Sequence, residues 1–285
     1  MTASLMNGKV VAQAMREEMK QEVQKLQSAG VQPGLAVVIV GEDPASQVYV
    51  NSKHKTCLEL GYYSEVHRLP EDTTQEHLLE LVGTLNAQSN IHGILVQLPL
   101  PKHIEEKAII DAIAVEKDVD GFHPVSVGNM VIGDESLLPC TPAGVIELLK
   151  RYDVEIAGKH AVVIGRSNIV GKPVSLLLQR EHATVTMCHS RTANMKELTK
   201  QADILVVAIG KANFVDRSFV KPGAVVIDVG VNRLDNGKLA GDVHFDDVSE
   251  ISSLLTPVPG GVGPLTITML MHNTLKAAKS IHNIE

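Results

Sequence analysis

Ser46, Tyr49 and Lys53 are spaced three and four apart in the run SQVYVNSK. On a helix, at about 100° per residue, they fall within an arc of about 60°. Cys57 and Leu60 continue the same stripe, which makes it the inward face, whereas Lys55 points to the opposite side and His54 lies well off it. A lysine on an apolar stripe is unusual, because lysine is seldom buried without a partner. Two readings stay open. The four-carbon stem can snorkel to water, or burial beside a tyrosine can lower the pKa and make Lys53 a proton-transfer group lining a cleft. Gln97, at the end of an apolar run, sits where α/β proteins bind ligands, or is only a strand-end amide. Asp120-Gly121 is a candidate site acid or a plain turn. Gly260-Gly261-Val262-Gly263-Pro264 is a hinge, or a loop pressed against a planar ligand.

A second constellation begins at Gly165. Residues 165–173 (GRSNIVGKP) follow an apolar run and open an amphipathic one. Laid on G-x-G-x-x-G, they place Gly165, Ser167 and Val170 at the three glycine positions, a degenerate match in the right strand–turn–helix context. Gly165 permits the tight turn, and the helix N-terminus offers N–H groups to a pyrophosphate. A phosphate-binding P-loop fails here. Five residues separate the glycines, and Pro173 stands where a Ser or Thr is needed. The alternative is an ordinary strand–helix turn. The next strand ends Cys188-His189-Ser190-Arg191, with no acid for a ribose 2′-hydroxyl. Ser190, Arg191 and the loop's Arg166 suit a 2′-phosphate instead, so NADP is expected over NAD.

The elements that must hold these residues alternate, as in α/β domains with parallel strands. Strands are expected at 35–40, 62–69, 93–98, 160–164, 183–189, 204–209 and 224–229. Helices are expected at 43–60, 75–88, 173–180, 195–201 and 265–281. Residues 1–30 read as the first helix, and 100–139, rich in Pro and Gly, as irregular. Thr141-Pro142 reads as an N-cap and first helical position of a helix to Arg151. The fold class is α/β: two α/β domains, the second a Rossmann-type doubly wound parallel sheet. Their expected bounds are 1–139, completed by the C-terminal helix 265–285, and 140–264.

Composition closes off other classes. The 285 residues are 44% hydrophobic and 21% charged, which favours neither disorder nor a membrane protein. No apolar run reaches the roughly 18 residues of a membrane span, and the charged N-terminus lacks a signal-peptide core. A net charge of -7 with 3% aromatics argues against a nucleic-acid surface. The three cysteines are far apart, which suggests neither disulfides nor zinc. The twelve histidines lack ligand spacing, so no metal is expected. A cytoplasmic location follows as an expectation.

Taken together, SQVYVNSK, QLPLP (97–101), KDVDGFHP (117–124), PCTPAG (139–144), GRSNIVGKP, VIDVGVN (226–232), GDVHF (241–245) and TPVPGGVGPLT (256–266) carry a resemblance. The chain closely resembles the bifunctional methylenetetrahydrofolate dehydrogenase/cyclohydrolase family over nearly its whole length. Ala212 and Leu265 depart from the family's usual proline and methionine, beside functional loops. The resemblance implies oxidation of 5,10-methylenetetrahydrofolate by NADP, then hydrolysis of the methenyl product to 10-formyltetrahydrofolate. It implies Lys53 as the central catalytic group, Tyr49 stacking on or orienting the folate, Gln97 tuning Lys53, and Asp120 holding the pterin. Gly165, Arg166, Ser167, Ser190 and Val231 would contact the cofactor, and Gly260, Gly261 and Pro264 the substrate. It also implies two domains flanking a cleft and a homodimer formed through the Rossmann domain. Two alternatives are a shikimate-dehydrogenase-like NADP enzyme and a cofactor-sensing module without chemistry. The runs 97–101 and 117–124 argue against the first, and the intact Tyr49, Lys53, Gln97 and Asp120 set against the second.

Overall fold

A computed structural model describes residues 2–284, the side chain of Ala45 apart. Strand β1 (Ser4–Leu5) precedes helix α1 (Gly8–Ser28). Asn7 caps that helix, its Oδ1 accepting from the Lys9 and Val10 N–H groups at 3.0 and 3.4 Å. The expectation of a helix from the start is corrected, with Met1 outside the described residues. Two residues of strand are too short to show a period.

Strand β2 (Gly34–Val40) is buried at every position, as a parallel strand covered on both faces must be. Asp43 then caps α2 (Pro44–Leu60): its carboxylate accepts from the Ser46 N–H at 2.8 Å, and Pro44 opens the helix where no N–H is needed. Strand β3 (Tyr63–Leu69), helix α3 (Gln75–Ala87) and strand β4 (Gly93–Val96) follow. The three strands form a parallel sheet in the order β3-β2-β4, with Val37 opposite both Val66 and Leu95.

Residues 100–139 are not irregular, contrary to expectation. They contain α4 (Glu106–Ala112), a 3-10 turn at Val115–Lys117, and α5 (Pro124–Ile132). Pro124 reads as a breaker in the sequence, yet it occupies the first turn of α5, where its missing N–H costs nothing. Helix α6 (Cys140–Arg151) likewise begins before Thr141, which is inside its first turn and is not its cap.

The second series runs β5 (His160–Ile164), α7 (Gly171–Arg180), β6 (Thr184–Cys188), α8 (Met195–Thr199), β7 (Ile204–Val207) and β8 (Val225–Asp228). A short antiparallel hairpin, β9 (Asn232–Arg233) and β10 (Leu239–Ala240), leads to α9 (Phe245–Ser249), β11 (Leu254–Leu255) and the long α10 (Val262–Ile281). Six parallel strands lie in the order β6-β5-β7-β8-β11-β1. Chain order reverses beside β5, which puts the switch point of this doubly wound sheet between β5 and β7.

Two compact units result. One joins residues up to 13 with 141–266, and the other joins 14–140 with those from 267 on. The first residues therefore pack with the Rossmann unit and not, as expected from the sequence, with the domain bounded at 1–139. Pairing of Ser4 with Leu254 and Leu5 with Leu255 is the reason. Each unit has its own core, around Val162, Leu205 and Val226 in one and Val38, Leu78 and Ile94 in the other. Helix α10 is tied into the second unit by polar bonds. Asn273 Nδ2 donates to the Val119 and Leu138 carbonyls at 2.8 Å each, and the Tyr62 hydroxyl donates to the Met271 carbonyl at 3.0 Å. Among the described residues no helix is long and apolar enough to cross a membrane, and no group of three or more His, Cys, Asp or Glu is placed to hold a metal ion.

Candidate active site

Helix α2 turns its inward face toward the carboxyl end of β4, and Lys53 reaches across. Its Nζ donates to Gln97 Oε1 at 2.9 Å, while Gln97 Nε2 donates to the Leu98 carbonyl at 2.8 Å and so fixes which end of the amide Lys53 meets. Lys53 does not snorkel; it is only 8% exposed. Burial pulls its pKa below the ordinary lysine value, opposed by the weaker pull of Asp120. The buried residues of α2 are Ser46, Val50, Lys53, Thr56, Cys57 and Leu60. Tyr49 is corrected: it lies at the margin of that face, 40% exposed. Lys55 points outward and pairs with Glu59, as its helical phase requires.

Asp120 comes from the run 117–124, whose other members brace it. Lys117 is buried and donates to the carbonyls of Leu85, Asn86 and Gln88 at 3.3, 2.8 and 2.7 Å, satisfying the free end of α3. Asp118 is buried and accepts from the Phe122 and His123 N–H groups at 3.2 and 2.9 Å. Gly121 has φ +69°, and a Cβ there would lie 2.6 Å from the Leu138 carbonyl carbon. Burial pushes the Asp120 carboxyl up to about 6, against the opposing charge of Lys53. Cys140 lies beside Asp120 and donates to the Val119 carbonyl at 3.3 Å as a neutral thiol, since burial raises its own pKa well above the usual value. Asn273 lies against the same sulfur at 3.7 Å. Sequence reasoning assigned no role to Cys140 or Asn273. The run 139–144 marked the first, and nothing marked the second.

In the other unit, a cavity of about 320 Å³ opens at the carboxyl ends of β5, β6 and β7, the switch point of the sheet. Gly165, Arg166, Ser167, His189, Ser190 and Ile209 line it. Gly165 has φ +132°, and a Cβ on it would stand 2.3 Å from the Ala208 carbonyl oxygen. The close-packing glycine of the helix is Gly171, one residue beyond the Val170 that the pattern selects. A Cβ on Gly171 would lie 2.4 Å from the Gly165 oxygen. Ser167 Oγ accepts from the Val170 and Gly171 N–H groups at 3.2 Å each, so it caps α7 as well as facing the cavity. His189 Nδ1 accepts from the Arg191 N–H at 3.2 Å and holds the turn that presents Ser190. Arg191 is outside the cavity lining, as are Val231, Gly260, Gly261 and Pro264 in the same unit. Gly261 is buried and would clash through a Cβ with the Pro257 oxygen at 2.7 Å, so it is close-packed.

A doubly wound parallel sheet with a glycine turn at its switch point, in one chain with a buried lysine held on a half-buried glutamine beside an acid, defines a dinucleotide-dependent enzyme of two α/β units. The family profile of the tetrahydrofolate dehydrogenase/cyclohydrolase catalytic domain matches residues 6–120, and that of the NAD(P)-binding domain matches residues 139–282. The chain is 63% identical over 279 residues to the bifunctional protein FolD of Brevibacillus brevis, covering 98% of each. The crystal structure of the bifunctional FolD methylenetetrahydrofolate dehydrogenase/cyclohydrolase of Campylobacter jejuni superposes with a TM-score of 0.96 at 50% identity, over 98% of this chain and 99% of that one. The Trypanosoma brucei dehydrogenase-cyclohydrolase, solved with NADP and an inhibitor, gives 0.95 at 40% identity over 99% of each chain. The chain belongs to the tetrahydrofolate dehydrogenase/cyclohydrolase family. Its two activities are the dehydrogenation of methylenetetrahydrofolate and the hydrolysis of the methenyl product, and the shikimate-dehydrogenase-like alternative gives way to them.

Proposed function

We propose that the unit containing Lys53 binds the folate and performs both steps on one carbon, and that the Rossmann unit supplies NADP. The observation that carries this reading is the buried Lys53 amine held on Gln97 beside Asp120. NADP, when bound, would supply the hydride acceptor, and loss of hydride from the methylene carbon leaves a methenyl cation. That cation is an electrophile at the same carbon. A neutral Lys53 accepts a proton from the attacking water and returns it to the ring nitrogen as the carbon–nitrogen bond breaks, and the remaining hydroxyl proton leaves to solvent. The acceptor oxygens of Asp120 match the amino and ring N–H donors of a pterin. Tyr49, at the exposed margin of the same helix, stacks on or orients the folate.

The groups present fit a phosphorylated dinucleotide. A Cβ would block the turn at Gly165, and Arg166 and Ser190 line the cavity where an acid would otherwise favour a 2′-hydroxyl. Gly165, Ser167 and Val231 contact the cofactor, with Arg166 and Ser190 on the 2′-phosphate. The NADP in the T. brucei relative supports the same choice. The protein acts in the cytoplasm as a homodimer formed through the Rossmann unit, so sedimentation should report about twice 30.7 kDa. The decisive assay adds methylenetetrahydrofolate and NADP and follows NADPH formation, then decay of the methenyl absorbance. Absence of NADPH would overturn the reading.

A further inference from the structure

Two runs of the sequence, 226–232 and 241–245, carry no role in the chemistry above apart from Val231. They meet in the Rossmann unit as two interlocked carboxylates. Asp242 is fully buried. Its Oδ2 accepts from the Ile209 and Gly210 N–H groups at 2.7 and 3.0 Å. Its Oδ1 accepts from the Lys211 N–H at 2.8 Å and from Asn232 Nδ2 at 2.9 Å. Three successive backbone donors of one loop thus converge on one side chain. The fourth donor comes from Asn232, the first residue of β9, beside Val231. Asp228 in turn fixes Asp242 itself. Asp228 Oδ1 accepts from the Asp242 and Gly230 N–H groups at 2.9 and 3.0 Å, and its Oδ2 accepts from the Val243 N–H at 2.9 Å.

The glycines of both runs make room for this lock. A Cβ on Gly230 would stand 2.2 Å from Asp242 Oδ1, and one on Gly241 would stand 1.8 Å from Asp228 Oδ2. The loop that Asp242 holds is the one whose Ile209 and Lys211 wall the cavity opposite Gly165 and Arg166.

We infer that Asp242 is a positioning residue of the dehydrogenase step: it holds the loop after β7 and the start of β9 against the cofactor without touching it. The inference rests on the proposed cofactor site. All four partners of Asp242 are donors, so an asparagine there must aim an NH2 group at backbone N–H groups. Asp242→Asn should raise the KM for NADP about tenfold or more, and raise that for NAD by the same factor, because the 2′-phosphate is not involved. Hydrolysis of methenyltetrahydrofolate, which uses no cofactor, is measured on the same sample and should stay near the wild-type rate. Asp246→Asn, exposed on α9, removes the same charge nearby and should change neither KM. Asn232→Ala removes one donor of the four and should raise both KM values about threefold. It decides the matter should Asp242→Asn fail to fold. Unchanged cofactor KM values, a loss confined to NADP, or an equal fall in both activities would each overturn the inference. A wild type that binds no NADPH in a fluorescence titration would sink the cofactor site itself.

Discussion

Lys53 Nζ lies 2.9 Å from Gln97 Oε1, and Gln97 can offer it nothing but that oxygen, because its Nε2 is held by the Leu98 carbonyl. The lysine therefore has a neutral acceptor and no adjacent carboxylate bonded to it. That partner leaves burial free to lower its pKa.

Gln97→Glu follows directly as a test. A carboxylate in place of the amide stabilises the ammonium form and raises the Lys53 pKa. Since the base must be neutral, hydrolysis increases with pH through that pKa. The rising limb of the rate profile should therefore move to higher pH by about one unit or more. A limb that stays in place would show that Gln97 does not tune the lysine.

Arg166 lines the cavity, and it is the charged side chain closest in sequence to the Gly165 turn. A bond from a charged group to phosphate is worth about 1.5–3 kcal/mol, or roughly 10–150-fold. Arg166→Ala should weaken NADP by about that factor and leave NAD nearly unchanged in a binding titration. An equal loss for both would assign Arg166 to holding the loop.

Much of this was legible in the sequence, for reasons that differ by residue. Fully apolar runs such as Gly34–Val40 mark buried parallel strands, and helical phase separated Lys53 from Lys55. Phase placed Tyr49 less well: Thr56, farther round the same side of the helix, is buried, so what packs against that edge decides exposure there, and phase alone does not. Strand β1 was invisible, since two residues carry no period and its partner is about 250 residues away. The helices in 100–139 were hidden by a proline that starts one of them. Asn273 and Asp242 act through carbonyls and N–H groups distant in sequence, and such partners leave no local signal.

His92 gives the unit around Lys53 an acid-sensitive point. It is 2% exposed, and its Nδ1 accepts from the Gly34 N–H at 3.0 Å, so Nε2 carries the proton toward His282 Nε2, also at 3.0 Å. Burial first, then the charges of His282 and Lys117, lower its pKa from 6.5 to about 4. Between those values the unfolded chain binds a proton that the folded chain refuses. Stability is thus fully present above 6.5 and is lost as pH falls toward 4, by at most about 3 kcal/mol. His92→Asn keeps an acceptor and a donor but does not titrate, so its Tm should fall less steeply with acid in a circular-dichroism series. An identical acid limb would place the sensitivity elsewhere.

The central claim is that Lys53 is a base and not merely a buried charge. Hydrolysis of methenyltetrahydrofolate by Lys53→Met, followed by loss of methenyl absorbance, tests it most directly, with NADP and folate binding measured on the same preparation. The account predicts a fall of about 100-fold or more in hydrolysis, binding within a few-fold of wild type, and a smaller loss of dehydrogenation, since hydride transfer needs no base. Lys55→Met, on the outward face, should leave both steps intact. Near-normal hydrolysis in Lys53→Met would contradict the account.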